Sequence, residues 1–127
     1  DRTTEQDEEM VHAAHASRHH WGVVGTSKNH GRGDWQIARV YAALGHFSES
    51  ERYAKLYLAA CKNNEFEDWD LPFAFEGLAR ACVKTKPKIA KQYVVEARQT
   101  SEKIVKEEDK NWLLTNLDEI VSMIDGK

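Results

Sequence analysis

What most constrains the fold is an absence. No segment alternates apolar and polar residues with period two over the length of a strand. Apolar residues recur instead at spacings of three and four. Trp35, Ile37, Ala38, Tyr41 and Leu44 form one such run, and Leu71, Phe75, Leu78 and Cys82 form another. This periodicity predicts an all-α chain with no strands. Only two prolines and seven glycines are present, clustered between periodic segments, where they punctuate helices.

The same signals set the expected boundaries. A first helix starts at Thr3 or Thr4, where Thr3-x-x-Gln6 fits a capping box and acids fill the first turn. It runs to about Val24. Gly25 then opens a polar loop, Thr26 to Gly33, the longest non-periodic stretch of the chain. Asp34 caps a second helix, which Gly45 ends. Ser48-x-x-Glu51 is a second capping box, opening a third helix with Ser50, Ala54, Tyr57 and Cys61 on its stripe. Asp68 or Asp70 caps a fourth, with Pro72 in its first turn. Thr85-Lys86-Pro87 introduces a fifth, carrying Ala90, Tyr93, Val94, Ala97, Ile104 and Val105. A break at Glu107 to Asp109 precedes a sixth with Leu113, Leu117, Ile120 and Ile124. The expectation is about six helices in antiparallel hairpins, forming one domain over residues 1–127.

Three hairpins in series suggest a repeat. The run Ile37-Ala38-x-x-Tyr41-x-x-Leu44-Gly45-x-Phe47, followed by Ser50 and Ala54, resembles a tetratricopeptide repeat (TPR). Ala90, Val94 and Ala97 fit the second-helix positions of the next hairpin. The resemblance covers residues 34 to 106 and departs from the pattern in places. Tyr57 stands where the family uses a small residue, the closing proline is absent, and Thr85-Lys86-Pro87 replaces a glycine turn. It implies a TPR-like, right-handed helical repeat whose hairpins bury their faces by stacking; a generic α-helical bundle is the alternative. At a finer level, HAAHASRHHW, GDWQIARVY and DWDLPFAFEGLARA resemble strings from small uncharacterised bacterial proteins of this helical build, which implies a bacterial, cytoplasmic origin and carries no activity.

Composition narrows the partners. Lys plus Arg is 18 and Asp plus Glu is 21, a net charge of −3, so nothing draws the whole chain to nucleic acid or an anionic membrane. Lys84, Lys86, Lys88 and Lys91 make a small basic patch that reads as a solvated helix terminus. No apolar run reaches the roughly 20 residues of a membrane span, and the acidic start from Asp1 to Glu9 is unlike a signal peptide. Cys61 and Cys82 lack CxxC spacing and sit on apolar stripes, which predicts buried, reduced thiols and a cytoplasmic setting.

The densest chemistry lies in His12-Ala13-Ala14-His15-Ala16-Ser17-Arg18-His19-His20-Trp21. On a wheel of about 100° per residue, Met10, Ala14, Ser17, Trp21 and Val24 share one face, taken as the packed side. His12, His15 and His19 fall opposite, facing water or a groove made with later helices. His15 and His19, at i and i+4, have the spacing for two imidazoles on one transition-metal ion, with His12 a third candidate. His12 and His19 stand about 10 Å apart along the axis, too far to share an ion comfortably, so another helix must contribute, with Glu76, Asp70 or His30 as donors. Glu9-x-x-His12 is half a di-iron carboxylate motif with no second half. A solvated histidine cluster is the plainer reading.

No nucleophile elbow, Walker loop or GxGxxG occurs, and Gly31-Arg32-Gly33 is an isolated scrap. The tetratricopeptide resemblance implies a non-enzymatic module binding a protein or peptide. Its groove candidates are His12, His15, Arg18, His19, Trp35, Arg39, Trp69 and Glu76, the tryptophans serving as core anchors or as aromatic hot spots at the groove mouth. The alternative is a metal or small ligand on the histidine face, with His15, His19 and His12 as ligands.

Overall fold

A computed structural model describes residues 3–24, 27–64 and 66–125; the side chains of residues 17–24 and 27–29 lie outside that description. The described residues form six helices: α1 (Thr4–Val24), α2 (Ser27–Ala43), α3 (Phe47–Asn63), α4 (Asp70–Cys82), α5 (Pro87–Ser101) and α6 (Glu107–Ile124). No strand occurs among the described residues. The chain is all-α, and no helix of the described residues is long and apolar enough to cross a membrane.

The local signals act as the sequence predicts at several ends. The Thr3 hydroxyl accepts the Gln6 N–H at 3.1 Å, and the Gln6 side chain accepts the Thr3 N–H at 2.9 Å, a reciprocal capping box. Gly45 closes α2 with φ of 80°, a left-handed conformation that favours glycine. Pro87 occupies the first turn of α5.

Three boundaries differ from expectation. The polar loop expected from Thr26 to Gly33 is helical from Ser27 onward, so α2 begins seven residues before Asp34, which is buried inside it. Gly31 explains the change. A Cβ there would sit 3.2 Å from Tyr57 Cδ1 and 3.3 Å from Ala60 Cβ, so this glycine lets α2 approach α3 closely and does not mark a turn. Tyr57, too large for the repeat pattern, is accommodated by this missing side chain. The Ser48 capping box is also absent: His46 is the N-cap of α3, and it makes no side-chain capping bond. Finally α5 ends at Ser101, earlier than its apolar stripe suggests. Ile104 is buried just beyond the helix, while Val105 is 89% exposed, and α6 starts at Glu107 inside the expected break.

Each helix packs on the next. In addition, α2 and α6 both pack on α4, and α1 reaches α3 through the His15 ring, edge-on to Tyr53 at 5.6 Å. α4 is therefore central. Eleven of its thirteen residues are buried, leaving only Leu71 and Arg80 part-exposed. The main core joins Tyr57, Phe73, Phe75, Val94, Leu113, Leu117 and Ile120. A smaller cluster of Ala38, Ala54 and Leu78 seals α2, α3 and α4 together. Cys82 is buried and Cys61 half-buried, both as free thiols.

Candidate binding face

The side-by-side helices α2, α4 and α6 bring together side chains far apart in sequence. On α2, Arg32, Trp35 and Arg39 fall at i, i+3 and i+7, one face of a helix. On α4, Asp70, Phe73, Glu76 and Arg80 follow the same logic. α6 adds Asn116 and Glu119.

Asp70 is fully buried, and its carboxylate is saturated with donors. Arg32 Nε donates to Oδ1 at 3.1 Å and Arg32 Nη2 to Oδ2 at 2.7 Å, a bidentate pair. The Tyr57 hydroxyl makes a short hydrogen bond to Oδ1, and the Glu67 backbone N–H donates to Oδ2 at 3.0 Å. The Asp70 hydrogen bond holds the Arg32 guanidinium above its ordinary range despite partial burial. Burial, and then the neighbouring Asp70 charge, push the Tyr57 hydroxyl far up, so it remains a donor. Over this pair, the Arg32 guanidinium lies 4.2 Å from the Trp69 ring centroid.

Glu76, also fully buried, is held by two arginines. Arg80 Nε donates to it at 2.9 Å, and Arg39 approaches at a longer 3.5 Å. Arg80 continues across to α6, donating to Glu119 at 2.7 Å and to Asn116 Oδ1 at 3.2 Å. Burial lowers the affinity of Arg80 for its proton, but Glu76 and Glu119 outweigh it and raise the net value. Arg39 in turn lies 5.3 Å over the Trp35 ring. Edge-to-face contacts link Trp35 to Phe73 at 6.1 Å and Phe73 to Trp69 at 6.2 Å. The result is an aromatic row of Trp35, Phe73 and Trp69 carrying a guanidinium at each end.

These charges balance. Arg32 and Asp70 cancel, as do Arg39 and Arg80 against Glu76 and Glu119. Each carboxylate in contact with α2 is buried, while Arg32 and Arg39 keep 30% and 32% of their side chains exposed. Their unused N–H edges are anchored donors. The buried Trp35 Nε1 also lacks an acceptor among the described residues. A 250 Å³ pocket beside Arg39 and Arg80 is walled by Ala42, Ala43, Phe47 and Met123.

Of the groove candidates, Trp35, Arg39, Trp69 and Glu76 thus share one face. His15 lies elsewhere, with Nε2 3.0 Å from the Tyr41 hydroxyl and its ring edge-on to Tyr41 and Tyr53. His12 is exposed on α1. The side chains of Arg18 and His19 lie outside the described residues, so the His15–His19 pair does too. Among the described residues no group of three or more His, Cys, Asp or Glu is arranged to hold a metal. The thiols are poor nucleophiles: burial and then Asp70 push Cys61 up to about 12, and burial raises Cys82.

Arg32, Asp70 and Arg80 carry this face, yet their chemistry is masked in sequence. Arg32 falls in an apparent loop, and Asp70 resembles an ordinary cap. The legible signal is the i, i+3, i+7 spacing of Arg32, Trp35 and Arg39. No protein-family model, curated protein or solved structure matches the chain.

Proposed function

We propose that this chain is a non-enzymatic binding module, a TPR-like helical repeat whose α2–α4–α6 face takes an extended peptide of a partner protein. The observation that carries the reading is the pair of guanidiniums lying over indoles, Arg32 on Trp69 and Arg39 on Trp35, each tied to a buried carboxylate and still part-exposed. Arginine and tryptophan dominate binding hot spots, and residues already locked lose little entropy when a ligand arrives. The side-by-side packing of the even-numbered helices is what stacked hairpins produce, and supports the repeat reading. A charge-balanced face favours peptide carbonyls and mixed side chains over a polyanion. This reading sets the protein in a bacterial cytoplasm, where unpaired thiols remain reduced.

The test is selection of a random peptide library on the immobilised protein, in parallel with Arg39→Ala. A recurrent motif enriched by the wild type, and bound at least about tenfold more weakly by Arg39→Ala (~1.4 kcal/mol), supports the module. Failure to enrich any sequence over a matched helical control overturns it.

A further inference from the structure

A second site lies away from that face. A cavity of about 600 Å³ opens between the first half of α1 and the α2–α3 turn. Its α1 wall is Thr4, Asp7, Glu8, Val11, His12 and His15, positions that share one helical face. Tyr41 closes it from α2, Leu44 and His46 from the turn, and Glu49 from α3.

The chemistry of this wall is one-sided. Four rings border the space: His12, His15, Tyr41 and His46. Tyr41 is their hub, edge-on to His15 at 5.8 Å and to His46 at 5.9 Å, and stacked on Tyr53 at 6.0 Å. The His15–Tyr41 hydrogen bond fixes two of these rings. Carboxylates stand at the rim, and no Lys or Arg lines the cavity among the described residues. Arg52 is engaged over Tyr53, the ring stacked on Tyr41, at 5.0 Å. Val11 and Leu44 supply apolar surface for an alkyl body. Electron-rich ring faces attract a cation strongly only where it is partly desolvated, and a poorly hydrated alkylammonium meets that condition most easily. An anion is opposed by the rim carboxylates, and a neutral apolar ligand leaves them without use.

We propose that the α1–Tyr41 cavity is a binding site for an alkylammonium group, its cation held against the Tyr41 ring with Glu8 and Glu49 as counter-charges and the histidines walling the alkyl body. The ligand source is either a free quaternary amine or a trimethylated lysine side chain, which share this chemistry. The proposal stands apart from the peptide face and does not depend on it.

The test is a nuclear magnetic resonance titration of the full chain with choline, with 3,3-dimethylbutan-1-ol as its uncharged isostere, and with a short peptide carrying trimethyllysine. Choline or the peptide should shift resonances of Val11, Tyr41, Leu44 and Glu49, and bind about tenfold more tightly than the alcohol. Tighter binding of the peptide than of choline assigns the source to a protein side chain, and the reverse order to a free amine. Glu8→Gln with Glu49→Gln, both at exposed positions, should weaken binding about tenfold and leave the melting curve unchanged. Tyr41→Leu should abolish binding, and the carboxamide pair keeps the test decisive if that variant unfolds. Equal affinity for the alcohol, or no shift at these residues with any of the three, overturns the proposal.

Discussion

At the scale of single residues, Asp70 sets the energetics. A buried carboxylate is tolerated only while its donors are in place. Removing Arg32 leaves the charge behind, so Arg32→Ala is expected to cost about 3 kcal/mol of unfolding free energy in urea denaturation. Arg32→Leu with Asp70→Asn should cost less than Arg32→Ala alone, because no charge is then stranded. Tyr57→Phe removes one donor without opening a cavity, and about 1–2 kcal/mol is expected. Gly31→Ala is a contest between two effects. Alanine favours the helix by about 1 kcal/mol, but its methyl meets the Tyr57 ring and Ala60 at 3.2 and 3.3 Å. Tyr57 is fully buried and tied to Asp70, so it cannot yield, and overpacking of about 1–3 kcal/mol prevails. Net destabilisation in the same denaturation series is the expected sign. Nothing in the periodicity announces any of this, because a glycine that permits close approach and one that permits a turn look alike in sequence.

Helices were more legible than their contacts. The apolar stripes of α3, α4 and α6 read directly from spacing, since burial on one face is what creates the period. The start of α2 did not, because Gly31, Arg32 and Gly33 are poor or neutral helix signals whose pairing lies on α3 and α4. The end of α5 was also hidden: Ile104 continues the stripe numerically while the backbone has already left the helix. Of the candidate face, Trp35 and Arg39 were readable from α2, but their convergence with Trp69 and Glu76 needed the packing of α2 on α4. One interhelical tie gives a pH test. Glu51 on α3 accepts Lys86 Nζ at 2.8 and 3.0 Å, with Lys55 at 3.1 Å. The Lys86 hydrogen bond, opposed by some burial, holds the Glu51 carboxyl below its ordinary range. A lowered folded-state value means that its stabilisation is present above the unfolded carboxyl range and lost as pH falls through the folded value. Glu51→Gln should therefore flatten the fall in melting temperature below about pH 4.5, with little change at lower pH where both proteins have lost the pair.

Taken whole, the molecule is held unevenly. α4 is gripped from both sides and by both neighbours in its own layer, whereas α1 rests chiefly on α2, with the His15 ring reaching Tyr53 of α3. Ala14 is the one buried apolar side chain described on α1. Hydrogen exchange should therefore be slowest in α4 and fastest in the first turns of α1. At the far end, Arg80 ties α6 to α4 through Glu76, Glu119 and Asn116. Arg80→Ala leaves the buried Glu76 charge with only the longer 3.5 Å approach of Arg39, so a loss of about 3 kcal/mol is expected, with protection falling first in α6. Equal loss of protection throughout α1–α6 would count against this division.

Because each helix leans chiefly on its neighbours along the chain, most closures needed to build the molecule are short. Among the described residues, the meetings of α2 with α4 and of α4 with α6 reach across an intervening helix, as does the smaller contact of His15 on α1 with Tyr53 on α3. Chains of this kind search little conformational space before native contacts begin to reward them, and they fold in microseconds to milliseconds. Newly made from its ribosome, this protein would assemble hairpin by hairpin, with α4 the point at which the growing structure becomes committed.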